Sequence, residues 1–302
     1  MFKFKKTAAF LMCLLMCGSM TAFQRVSAEV TDDSENGDIF VDENGNQIVT
    51  ESEESEIKQS GDFLYSTDGE TVKIEDCTSK ETEIVVPEEI EGLPVTELGE
   101  TAFGKVPEDS VAEKIVLPSS INYISADNPF IYCIKLKEIA VDEKNENYVS
   151  VDGVLYSKDM TTLVCYPDSK SGKSYTVDSK TTTLGVASIY YTELESVILP
   201  SGLENISRYA LSSNERIKSI DMSSTKVTEI GDFAFTGCTL LTDCKLSSTL
   251  QKIGGGAFSN CSNLEDIELP LVTVLDDMEK RGISIDKNEV WTDGQTICYV
   301  GP

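Results

Sequence analysis

The sequence predicts a strand-rich solenoid of the α/β repeat class, and three observations predict it. First, residues 230–246 read IGDFAFTGCTLLTDCKL and residues 253–269 read IGGGAFSNCSNLEDIEL. Ile230 and Ile253, Phe235 and Phe258, Cys238 and Cys261, and Leu246 and Leu269 all stand 23 residues apart. Self-similarity at a fixed period of twenty-odd residues is the signature of stacked repeats. Second, an apolar–x–apolar triplet recurs eight times, often followed by Pro or Ser. Third, histidine is absent from all 302 residues. That removes the usual general base, the usual metal ligand and every Ser-His or Cys-His nucleophile. A scaffold for a surface is expected, with no cofactor.

Taken in order, residues 1–28 form a secretory leader. Lys3, Lys5 and Lys6 precede an apolar run from Ala8 to Met20, and Val26-Ser27-Ala28 supplies the small residues of a cleavage site. The run is too short to span a membrane. The chain carries 52 acidic and 25 basic residues, and losing the leader removes four of the basic ones. So acidic a chain repels phosphate backbones and anionic lipid, which makes nucleic acid and membrane surfaces poor partners and favours cationic partners or divalent cations. Residues 29–60 are polar and acidic with little aliphatic content, and read as a disordered linker. Their Asp/Asn-rich stretches lack the twelfth-position Glu of a calcium loop.

The folded part is expected over 61–270. It opens with a hairpin, Phe63–Tyr65 and Thr71–Ile74 about Asp68-Gly69, which covers the end of the stack. The triplets follow. Their inward positions are Ile84/Val86, Ile115/Leu117, Ile139/Val141, Tyr175/Val177, Val197/Leu199, Ile220/Met222, Cys244/Leu246 and Ile267/Leu269. Alternation of period two buries these and turns the residue between them outward. Each return leg, expected as a short irregular or 3-10 segment, carries Ala102-Phe103, Ala210-Leu211, Ala234-Phe235 or Ala257-Phe258. Three residues beyond the large side chain stands Thr192, Asn214, Cys238 or Cys261, a small group able to bond the backbone where the chain turns inward. An insertion at 147–167 reads as a hairpin, either family-type decoration or a binding protrusion. Residues 271–302 form the C-terminal cap: a short helix from Val272 to Arg281 and a hairpin of Val290-Trp291 with Thr296–Tyr299, whose Trp291 is expected to pack against the last repeat. Seven cysteines follow the leader, an odd number with no C-x-x-C spacing, and read as free, buried packing residues.

The pattern I-G-x-x-A-F-x-x-C-x-x-L-x-x-I-x-L-P, running from Ile253 to Pro270, resembles the BspA-like (bacterial surface antigen) class of leucine-rich repeat. Glu88–Phe103 and Val151–Pro167 are similar to segments recurring in that class. The resemblance implies a right-handed leucine-rich-repeat solenoid on an exported bacterial protein that binds protein at the cell surface, with no catalytic residues to carry over.

The outward ladder is apolar or small toward the N-terminus and charged toward the C-terminus. A ligand-binding face is expected at Ile198, Ser219, Asp221, Asp243, Lys245, Asp266 and Glu268. Asp243 beside Asp266 would set like charges side by side, either screened by solvent or met by a cation or a basic partner group. The expected partner is a host or envelope protein, with glycan a second possibility. An extracellular carbohydrate- or peptide-processing component using an acidic pair such as Asp276-Asp277, or a structural envelope protein, are the competing readings.

Overall fold

The computed structural model describes residues 56–104, 110–265 and 267–269, together with the backbone of strands at 40–41, 47–48, 274–275, 290–292 and 297–300. The expected leader, most of the acidic linker, Asp266, Asp276-Asp277 and the packing of Trp291 lie outside these residues. Met1–Glu54 is a unit of its own, in which Phe40–Val41 and Gln47–Ile48 pair antiparallel.

The strand triplets stack as expected, in parallel and in register. Glu83–Val85, Lys114–Leu117 and Glu138–Val141 form one ladder, with Ile84 opposite Ile115 and Ile115 opposite Ile139. Ser174–Thr176 pairs with Ser196–Ile198, and Ser219–Asp221 with Asp243–Lys245. Alternation does what it predicts: Ile115, Leu117, Ile139, Ile220 and Met222 are buried, while the residue between each pair faces outward. Folded structure starts slightly earlier than expected, because Lys58–Ser60 pairs antiparallel with Phe63–Thr67 ahead of the Asp68-Gly69 hairpin.

The return legs correct the α/β expectation. Among the described residues there is no helix. Each leg begins with a two-residue strand, Thr183–Leu184, Asn205–Ile206, Glu229–Ile230 or Lys252–Ile253, and these pair in parallel as a second ladder. Strand Val274–Leu275 adds the next rung, where a helix is expected over 272–281. Beyond each strand, left-handed residues recur at 22- to 24-residue spacing: Ala187, Tyr209, Phe233 and Gly256, then Tyr191, Ser213, Gly237 and Asn260. A residue at φ near +57° every four positions breaks the helical bonding pattern. Backbone amides instead alternate between a turn and the next coil. Ala210 N–H bonds Ser207 O at 3.2 Å and Leu211 N–H bonds Ala234 O at 2.8 Å; Ser212 bonds Tyr209 O at 3.0 Å and Ser213 bonds Thr236 O at 2.7 Å.

Glycine sets the spacing of this ladder. A Cβ on Gly231 would lie 2.6 Å from Arg208 N, and one on Gly254 would lie 2.4 Å from Asp232 N. The small inward residues act as expected. Asn214, fully buried, donates to Ile189 O and Leu211 O at 2.7 Å each and accepts from Thr192 N at 2.9 Å. Cys238 Sγ meets Leu211 O at 3.3 Å, and Cys261 Sγ meets Phe235 O at 3.2 Å.

The insertion is not a protrusion. Tyr148–Val151, Val154–Ser157 and Thr162–Cys165 form an antiparallel meander whose last strand runs parallel to Thr183–Leu184, so it is the first part of the second ladder. It also divides the interior. Leu155 and Cys165 join the N-terminal core, which runs from Tyr65 to Ile139. Val154, Tyr156, Leu163 and Tyr166 join the C-terminal core, which runs on to Leu269. The period-two alternation of one small sheet faces two cores. Asn128 crosses the same boundary, its amide nitrogen bonding Val186 O and Ala187 O at 3.2 and 3.0 Å. Strand Ile297–Val300 lies parallel to Glu268–Leu269 and antiparallel to Val290–Thr292.

Candidate recognition surface

The first ladder fixes its outward side chains by register. Val85, Val116 and Ala140 face outward side by side, and Val85 is 59% exposed. Glu83, Lys114 and Glu138 border them; Lys114 Nζ lies 3.2 Å from Glu83 and 3.9 Å from Glu138, and the hydrogen bond to Glu83 raises the lysine pKa. Ile198, beside Thr176, is 53% exposed.

Toward the C-terminus the face turns charged, as the sequence predicts. Ser219 stands opposite Asp243 and Asp221 opposite Lys245. Lys245 Nζ lies 3.7 Å from Asp221, whose carboxyl is held below its ordinary range by hydrogen bonds from Ser223 first and by Lys245 after. Ser219, Asp221, Asp243, Lys245 and Glu268 are all exposed. The structure therefore brings together the two pairs at 219–245. It places Ile198 on the preceding ladder and Glu268 on the strand that pairs with Ile297–Val300. Such solvated, mutually balanced charges are suited to contacting another surface rather than to moving protons.

A second feature lies on the outer side of the second ladder and was not read from the sequence. Asn205, Ser207, Arg208, Glu229, Asp232 and Lys252 line a groove of about 260 Å³. Gly231 and Gly254 leave its floor without side chains. Lys252 Nζ lies 3.1 Å from Glu229. Arg208 pairs with Asp127 and sits 5.5 Å over the Tyr209 ring, which stacks on Phe233 at 5.3 Å. The only sequence signal was the paired I-G dipeptides, whose glycines permit close stacking.

The interior holds chemistry that the surface does not use. Among the described residues six cysteines are free and buried. Burial pushes the Cys133 and Cys261 thiols up to about 12, so these are packing groups and not nucleophiles. Tyr156 and Tyr175 share a hydroxyl–hydroxyl hydrogen bond, and burial raises both phenols. Asp168 is buried with no hydrogen-bond partner for Oδ2 among the described residues, and desolvation lifts its carboxyl well above the usual range. Among the described residues no three Cys, Asp or Glu side chains converge as a metal site.

The model of the BspA type leucine rich repeat region matches residues 74–157 and 160–278 in six copies. No curated protein matches the chain. Among solved structures, a leucine-rich repeat protein from Eubacterium ventriosum is 26% identical with a TM-score of 0.54; the match covers 62% of this chain and 49% of that one. This chain thus spans about half the length of that relative. A leucine-rich repeat protein from Bacteroides ovatus matches at 19% identity and a TM-score of 0.44, over 72% of this chain and 60% of that one. A leucine rich cell surface protein from Faecalibacterium prausnitzii matches at 13% and 0.36, over 72% and 83%. The stacked triplets, the glycine-spaced return legs and the family match agree: the chain belongs to the BspA-type leucine-rich repeat family, and its fold is a strand-rich repeat solenoid.

Proposed function

We propose that this protein is an exported, non-enzymatic recognition module that binds a basic protein surface through the outward face of its strand triplets. The residues in contact are Ile198, Ser219, Asp221, Asp243, Lys245, Asp266 and Glu268. The observation that carries this reading is the in-register outward set Ser219/Asp243 and Asp221/Lys245 beside the exposed Ile198. It offers an apolar anchor next to a fixed charge pattern, the combination that gives interfaces affinity and orientation. The net charge of −27 supports a cationic partner and predicts binding that weakens with salt. Export is supported by the leader-like residues 1–28. The absence of histidine and the exposure of the carboxylates on this face support a role without catalysis.

The test is binding of the purified protein to a panel of immobilised extracellular-matrix and bacterial-envelope proteins. Ile198→Asp and the pair Asp221→Lys with Asp243→Lys should each weaken the saturable binder about tenfold, roughly the effect of a small hot spot. Equal binding by wild type and both variants would overturn the proposal.

A further inference from the structure

We infer that the groove on the second ladder is a site for a neutral oligosaccharide, separate from the protein-binding face proposed above. The argument starts from charge. Both cations of the groove are already matched, Lys252 by Glu229 at 3.1 Å and Arg208 by Asp127. The lining therefore offers neither the unmatched positive charge that a phosphate needs nor a converging set of carboxylates for a cation.

Its hydrogen-bonding capacity, in contrast, is largely unspent. The Asn205 amide and the Ser207 hydroxyl, both half-buried, make no side-chain hydrogen bond among the described residues. Asp232 uses Oδ1 to accept from Gly255 N at 2.6 Å and has its second oxygen free of partners there. An amide, a hydroxyl and a carboxylate oxygen together supply both donors and acceptors, which is what vicinal hydroxyls require. An apolar ligand would leave these groups unsatisfied.

The site is also held in advance. Arg208 is fixed between the Asp127 carboxylate and the Tyr209 ring, and that ring is fixed by Phe233. The floor is flat because glycine is required at 231 and 254 for close stacking, whatever the ligand. Preorganised side chains lose little freedom on binding. The Tyr209 ring is flanked by Phe233 and by Arg208, so recognition here runs through hydrogen bonds and not through stacking on that ring. A groove of about 260 Å³ lies just below the usual size of enclosed ligand pockets. Weak binding per site, with Kd on the order of 0.1–1 mM, follows.

The experiment titrates the purified protein with the β-1,4-linked pentasaccharides of glucose, mannose and N-acetylglucosamine and with α-1,4-linked maltopentaose. Amide chemical shifts are read by NMR, and inorganic phosphate serves as the charged control. One of the saccharides should produce saturable shifts centred on Asn205, Ser207, Gly231 and Gly254. Asn205→Ala with Ser207→Ala should weaken it at least fivefold with an unchanged melting transition. The Asp221→Lys, Asp243→Lys pair should bind it as wild type does, which separates this site from the strand face. The inference is overturned if no saccharide gives saturable shifts by about 10 mM, if shifts centre elsewhere, if phosphate shifts the same residues, or if the Asn205/Ser207 variant binds normally.

Discussion

The two cores of this molecule are built from the same repeat yet differ in regularity. In the C-terminal core, Ile189, Leu211, Phe235 and Phe258 occupy equivalent places on four successive return legs, with Phe235 and Phe258 stacked at 5.1 Å. The small inward position is filled on each of those legs, by Thr192, Asn214, Cys238 and Cys261. Among the described residues of the N-terminal core only Phe103 and Phe130 stack in this way, at 5.4 Å, and Cys133 fills the small inward position. Its return-leg strands Val72–Cys77, Leu93–Leu98 and Tyr123–Ile124 also stack in parallel, and antiparallel hairpins are added to them: Phe63–Thr67 with Val72–Cys77, and Glu89–Ile90 with Leu93–Leu98. Regular coils stabilise their neighbours in a one-dimensional fashion. The N-terminal core adds local hairpins and the shared meander to that stacking. The comparison teaches that the buried side chains of the repeats fall into two apolar clusters, which meet at a sheet with an apolar face toward each.

The largest expected effect breaks the regular unit. Phe235→Ala removes a fully buried ring from the stack and should lower stability by about 3–5 kcal/mol, with hydrogen exchange accelerated across Ser196–Lys245 more than across Val72–Cys77. Next comes the spacing of the return legs. Gly231→Ala and Gly254→Ala force a Cβ within 2.6 and 2.4 Å of the preceding coil and should each cost about 1–3 kcal/mol in denaturant melts. Gly255→Ala, whose Cβ meets nothing closer than 3.7 Å, is the matched control and should be nearly neutral.

Much of this was legible in the sequence, and the rest was hidden for physical reasons. The strand triplets and their register were readable because Ile220, Cys244 and their equivalents keep period two at a fixed offset. The inward Asn214 and Cys238 were readable because only small polar groups suit a buried turn. The second ladder was not, since Glu229–Ile230 and Lys252–Ile253 are too short to show alternation. The left-handed positions were masked by Tyr209 and Phe233, residues that rarely adopt that conformation, while only Gly237, Gly256 and Asn260 hinted at it. The meander's division of the interior was invisible because Val154, Leu155 and Tyr156 are all apolar, and which core each enters is decided by tertiary packing. Of the expected face, the outward direction was legible from alternation; the groove, assembled from three coils, had no local signature.

A smaller effect sharpens the joint between the units. Asp168 follows the meander and is buried beside the Cys133 and Cys165 thiols. Its carboxyl is raised by burial, so its contribution to stability is full below the unfolded value of about 4 and is lost as pH rises through the folded one. Asp168→Asn should therefore be more stable than wild type at neutral pH, with the difference closing in acid, as denaturant midpoints across that range will show. The smallest effect belongs to the surface. Lys245→Ala breaks a pair in which both side chains are 58% exposed, and should leave the melting midpoint unchanged within error while altering partner binding.

Hydrogen exchange on two adjacent substitutions in the meander tests the division into two cores most directly. Leu155→Ala should speed exchange in Val72–Cys77 and Lys114–Leu117, because Leu155 packs into the N-terminal core. Tyr156→Phe, which breaks the hydroxyl bond to Tyr175, and more strongly Tyr156→Ala, should speed it in Ser174–Thr176 and Ser196–Ile198 instead. Acceleration of the same segments by Leu155→Ala and Tyr156→Ala would show a single undivided core and contradict the account.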